Sequence, residues 1–65
     1  MRLVVNGDPC EVPEGLTVSG LLRHLSIEGL VAVEVDRDVV PRAAREDHAL
    51  REGAQVEIVH FVGGG

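Results

Sequence analysis

The sequence predicts an α+β fold in which one helix packs on one face of a small mixed sheet. Three observations carry this. Short runs near both ends and in the middle alternate apolar and other residues with period two, as half-buried strands do. One stretch, "TVSGLLRHLSIEG", spaces its apolar residues as a helix does. Turn residues punctuate the chain between these runs, so the order is hairpin, helix, two short strands, irregular segment and last strand.

The opening "RLVVNGDPCEV" reads as two strands around Asn6-Gly7. Both turn residues tolerate positive φ, which a two-residue hairpin needs. Alternation places Leu3 and Val5 on one face, with Arg2, Val4 and Asn6 on the other. Cys10 and Val12 are expected on the core face, and Pro9 suits a strand start or an edge.

Thr17 is the expected N-cap of the helix. Val18, Leu21, Leu22 and Leu25 then form one apolar stripe. Gly20 costs about 1 kcal/mol against Ala inside a helix. Either it permits close approach to the sheet or it is a tolerated defect. Gly29 is the expected stop.

"LVAVEVDRDVVPR" reads as a strand, a turn and a short strand. Val31, Val33 and Val35 alternate with Ala32 and Glu34. Asp36-Arg37-Asp38 has no glycine, so this turn is less sharply specified than the first. Pro41 confines the short strand to an edge or ends it. "AAREDHALREG" is irregular, with one helical turn expected near Ala43 to Asp47, a core anchor at Leu50 and a turn at Glu52-Gly53. In "AQVEIVHFV", Val56 and Ile58 point inward, and Gln55, Glu57, Val59 and Phe61 outward. A last strand lying beside the first would put both in the middle of the sheet.

The 65 residues allow one domain, and one this small buries only about 60% of its unfolded surface. Phe61 is the only aromatic residue, so the core is built from Val, Leu and Ile. The net charge is −5, and all six basic residues are arginine. An acidic chain without a basic cluster is a poor nucleic-acid ligand, whereas it suits docking on a more basic protein. No apolar run approaches the ~20 residues that span a membrane. No signal-peptide pattern opens the chain, and the lone Cys10 forms no internal disulfide or zinc set. These features point to a cytoplasmic protein.

His24, His48 and His60 lack zinc-type spacing, so no metal site is expected, and Cys10 reads as a small core hydrophobe. Asp36, Asp38, Glu46 and Asp47 read as solvated loop residues or as an acidic docking rim. No nucleophile–base pair or phosphate-binding glycine loop is visible, so the chain is not expected to be an enzyme. The last strand runs into Gly63, Gly64 and Gly65. Three terminal glycines are either a frayed end or the carrier of a working carboxylate. Val59 and Phe61, with Val4 as a possible neighbour across the sheet, form an apolar surface suited to docking.

The segments "VNGDPCEVPEGLTV", "VVPR" and "LREGAQVEIVHFVGGG" resemble the ThiS-type sulfur carriers of thiamine biosynthesis, which have the ubiquitin-like β-grasp fold. The resemblance covers essentially the whole chain. It differs at Asp36-Arg37-Asp38, where an Asn-Gly turn is common, and at Ala54, where an acidic residue often follows the glycine.

The resemblance implies a β-grasp domain over residues 1–62 and a flexible reactive tail over residues 63–65. It implies that the Gly65 carboxylate is adenylated by a ThiF-type enzyme using ATP and Mg²⁺. A cysteine desulfurase or another persulfide donor then converts it to a thiocarboxylate, and thiazole synthase takes the sulfur. The chain is a cosubstrate in this scheme and holds no cofactor stably. Carriers for tRNA thiolation or molybdopterin synthesis use the same chemistry, and a ubiquitin-like modifier without sulfur chemistry is the alternative of another class.

Overall fold

A computed structural model describes residues 1–61. Residues 62–65, with the expected tail Gly63–Gly65 and the boundary placed after residue 62, lie outside the described residues.

Five strands form one sheet in the order β2-β1-β5-β3-β4. β1 (Arg2–Val5) and β2 (Asp8–Glu11) are the antiparallel hairpin read from the sequence, with Val5 opposite Asp8 across Asn6-Gly7. Both turn residues have positive φ, 49° and 85°, the conformation that an Asn-Gly turn favours. β3 (Val31–Val35) pairs with the two-residue β4 (Asp38–Val39). β5 (Gln55–His60) lies at the centre, parallel to β1 and antiparallel to β3. The first and last strands are therefore both interior.

The β3–β4 turn is tighter than expected. Only Asp36 and Arg37 form it, at φ 50° and 73°, and Asp38 already belongs to β4. Two non-glycine residues in the left-handed region are unfavourable. Two clamps on β5 offset this: the Asp36 N–H donates to the Gln55 carbonyl at 2.8 Å, and the Asp36 Oδ1 accepts the Gln55 N–H at 3.0 Å. β4 ends at Val39, and Pro41 opens a 3-10 turn at Arg42–Ala44, one residue before the expected helical turn.

The helix α1 spans Val18–His24. Its first N–H groups, which a helix cannot satisfy itself, find separate acceptors. Val18 donates to the His48 carbonyl, Ser19 to the Arg45 carbonyl and Gly20 to the Thr17 hydroxyl at 3.1 Å. Thr17 is thus the cap expected, and the irregular segment closes the rest. The helix stops before Gly29. Ser26 takes φ 57°, its N–H donates to the Arg23 carbonyl, and the Ile27 N–H reaches back to Leu22 at 2.9 Å. These are the two bonds of a Schellman closure, with serine where glycine is usual. Gly20 does not serve approach to the sheet: a Cβ there would meet Leu16 Cδ2 at 3.0 Å.

The core lies between α1 and one sheet face. Leu3, Val18, Leu21, Val33 and Val56 are almost fully buried. Each contributes about 1.5–3 kcal/mol of burial free energy. Leu50 and Ile58 are buried with them, as the alternation predicts.

Candidate functional site

The site of interest is the sheet face turned away from α1, at the end where β5 runs toward residue 62. Alternation along β5 buries Val56 and Ile58 and leaves Val59 and Phe61 outside. Val59 is 57% and Phe61 61% exposed, which is high for large apolar side chains.

Antiparallel register supplies their neighbours. Ala32 of β3 stands opposite Val59, and the Phe61 N–H donates to the Leu30 carbonyl at 3.0 Å. Leu30 precedes β3 on the same alternation as Ala32 and is 65% exposed. Leu30, Ala32, Val59 and Phe61 therefore form one apolar patch. The sequence reading missed Leu30. Its signal was its place two residues before Ala32, but only the β3–β5 register shows that it meets Phe61.

Val4 shares this face but not this end. It pairs with Gln55, four residues before Val59, or about 13 Å along the strand. β1 ends at Val5, so it never runs alongside Val59. Val4 is also half-buried.

Two backbone-directed contacts hold the end of β5. The His60 ring Nε2 lies 3.3 Å from the Glu28 carbonyl, and Phe61 bonds Leu30 as described. The segment from Glu28 to Leu30 thus fixes where the chain leaves the sheet. Gly63, Gly64 and Gly65 lie outside the described residues.

The other singled-out residues scatter. Cys10 is half-buried opposite Leu3, and His24 is exposed in the last helical turn. His48 is half-buried and accepts the Val18 N–H through its carbonyl. Asp36 is occupied by Gln55, and Glu46 by Arg23 at 3.4 Å. Among the described residues, no group of three or more His, Cys, Asp or Glu side chains is placed to hold a metal ion. No described helix is long and apolar enough to cross a membrane.

Comparison with known proteins fits this architecture. The ThiS family model matches residues 3–65. The chain belongs to the ThiS family. A crystal structure of the thiamine biosynthesis protein (ThiS) from Geobacter metallireducens is 38% identical and superposes with a TM-score of 0.87, each chain covered in full. A solution NMR structure of a thiamine biosynthesis protein from the same organism gives 0.84 at 38% identity, covering all of this chain and 88% of that one. The five-stranded mixed sheet with one helix is thus the β-grasp of ThiS.

Two longer curated relatives also match. Thiazole synthase from Paramagnetospirillum magneticum is 38% identical over 66 residues, and thiazole synthase from Magnetococcus marinus 41% over 66. All of this chain is covered in both, but it spans only 20% of either relative's length.

Proposed function

We propose that this ThiS-family chain is a sulfur carrier of thiamine biosynthesis and acts as a cosubstrate of partner enzymes. The observation that carries the reading is the family match, which extends from Leu3 through Gly65. In this reading the Gly65 carboxylate is the working group. A carboxylate oxygen attacks the α-phosphorus of Mg²⁺-bound ATP on a ThiF-type adenylating enzyme, and pyrophosphate leaves. The acyl-adenylate now carries a good leaving group, so a difficult substitution is split into two easier ones. A persulfide sulfur attacks the acyl carbon and AMP departs. A thiol then cleaves the S–S bond, leaving the thiocarboxylate. ATP and Mg²⁺ belong to the partner, and a cysteine desulfurase is a suitable persulfide source.

Glycine suits the delivery of such a group. Without Cβ, Gly63 to Gly65 can follow a narrow channel and take the φ/ψ a partner imposes. Four residues beyond Phe61 reach about 13 Å when extended, a distance suited to a cleft next to the docked patch. The cytoplasm, which holds ATP and reduced thiols, is the matching compartment.

Thiazole synthase is the proposed sulfur acceptor. Both curated relatives bear that name and contain a matching segment in a longer chain. A carrier joined to its acceptor enzyme gains effective concentration, which favours thiazole synthesis over tRNA thiolation or molybdopterin synthesis.

The test incubates the full chain with its adenylating enzyme, Mg²⁺-ATP and a persulfide donor, and reads intact mass. One terminal oxygen should be replaced by sulfur, and thiazole synthase should reverse the change. A chain extended by one residue beyond Gly65 should stay unmodified. Lysine-linked conjugates without sulfur uptake would replace this reading with that of a modifier.

A further inference from the structure

The β3–β5 register sets Glu34 directly opposite Glu57 on the sheet face away from α1. Both are exposed. Like charges placed opposite each other across strands destabilise a sheet. Neither carboxylate enters an ion pair or a side-chain hydrogen bond among the described residues. Three arginines are engaged elsewhere: Arg2 with Glu11, Arg23 with Glu46, and Arg45 with the Val31 carbonyl.

The same face continues two residues along β5 into the apolar patch. Glu57 is followed on this face by Val59 and Phe61, and Glu34 is preceded by Ala32 and Leu30. Val39, 68% exposed, stands beside Glu34 on β4. The two carboxylates therefore sit between exposed apolar groups. Two concavities lie elsewhere, one beside Asp36 and Arg51 and another among Ser19, Arg23 and Arg42. An exposed sheet face with a paired negative charge and an apolar end fits a protein surface better than a small molecule.

We propose that this face docks a protein partner that inserts an arginine between Glu34 and Glu57 while its apolar side chains cover Leu30, Val59 and Phe61. A guanidinium presents several N–H donors in a rigid plane and can bond both carboxylates at once, which a lysine does less well. Desolvation by the surrounding apolar contacts strengthens those bonds. The arginine would compensate two like charges that have no such partner among the described residues, so the pair favours the docked state over the free one. The partner is the adenylating enzyme, a choice that rests on the carrier reading.

The experiment compares the full chain with its Glu34→Gln, Glu57→Gln and double variants, using the adenylating enzyme as the probe. The double variant should melt at a higher temperature than the parent, which also shows that it folds. Its affinity should fall by about tenfold or more, and the dependence of affinity on salt should flatten. Unchanged affinity and salt dependence would overturn the proposal, as would absence of binding by the parent chain. Thiocarboxylate formation on the parent chain is read separately by intact mass. Its failure while the double variant still binds more weakly overturns the carrier reading and leaves this surface standing. Its success with equal binding by parent and variant overturns this surface alone.

Discussion

Asn6 takes over both backbone groups of Ile58 with one side-chain amide. Its Oδ1 accepts the Ile58 N–H at 2.7 Å, and its Nδ2 donates to the Ile58 carbonyl at 3.2 Å. β1 ends at Val5, so the central strand would otherwise lose its ladder partner there. The turn residue that closes the hairpin thus also extends the sheet. Asn6→Ala removes both bonds and places a Cβ residue without a local hydrogen bond at φ 49°. The expected loss is about 2–3 kcal/mol. For a domain of this size that lowers the melting temperature by roughly 10 °C or more. Asn6→Asp keeps the acceptor and loses the donor, so it should fall between the two. Thermal unfolding followed by circular dichroism would decide; an Asn6→Ala chain as stable as the parent would remove this role.

What the sequence made legible is what local chemistry specifies. Asn6-Gly7 announced a two-residue hairpin, Thr17 a helix cap, and the valines of β3 and β5 their buried face. The helix ends short of Gly29, the stronger local signal, because its closure depends on Ile27 reaching Leu22. The Leu30–Phe61 contact and the Glu34–Glu57 pair depend on register between strands distant in sequence. No spacing rule within either strand reveals that. Val4 and Val59 share a face by alternation, but a face does not fix position along a strand.

Arg37 is the residue whose identity least suits its conformation. Among the described residues it occupies φ 73° without a side-chain bond like the one Asp36 makes to Gln55 across the sheet. Arg37→Gly removes the Cβ penalty at a cost in unfolded-state entropy. The net gain should be about 0.5–1 kcal/mol, or roughly 3–6 °C in melting temperature. Asp36→Ala should do the opposite, because it frees the Gln55 N–H on the central strand. Equal melting temperatures for both variants and the parent would show that the ladder alone sets this turn.

Gly20 offers a test of local crowding. Ala at this position gains helix propensity worth up to about 1 kcal/mol. Its Cβ would meet Leu16 Cδ2 at 3.0 Å and Thr17 Oγ1 at 3.5 Å. Leu16 is half-buried, and its methyl can turn aside. Gly20→Ala should therefore stabilise by less than about 1 kcal/mol, whereas Gly20→Val adds branched bulk against Leu16 and should destabilise. Denaturant midpoints measured at constant slope would separate these.

The end patch can be separated from the rest of its face by three substitutions. Leu30→Ala and Phe61→Ala each truncate a side chain more than 60% exposed, so stability should change by no more than about 0.5 kcal/mol. Each should weaken binding to the proposed adenylating partner by about tenfold, since a few well-packed side chains near the centre of an interface carry most of its energy. Val4→Ala changes the same face about 13 Å away, level with Gln55. It should alter affinity by less than about twofold, as peripheral contacts do. Isothermal titration of the three variants reads the contrast directly. Equal losses from all three would place the partner along the whole length of β5, and the end patch would then lose its claim as the anchor. A loss confined to Leu30 and Phe61 would tie docking to the end of β5, where the segment from Glu28 to Leu30 holds the strand.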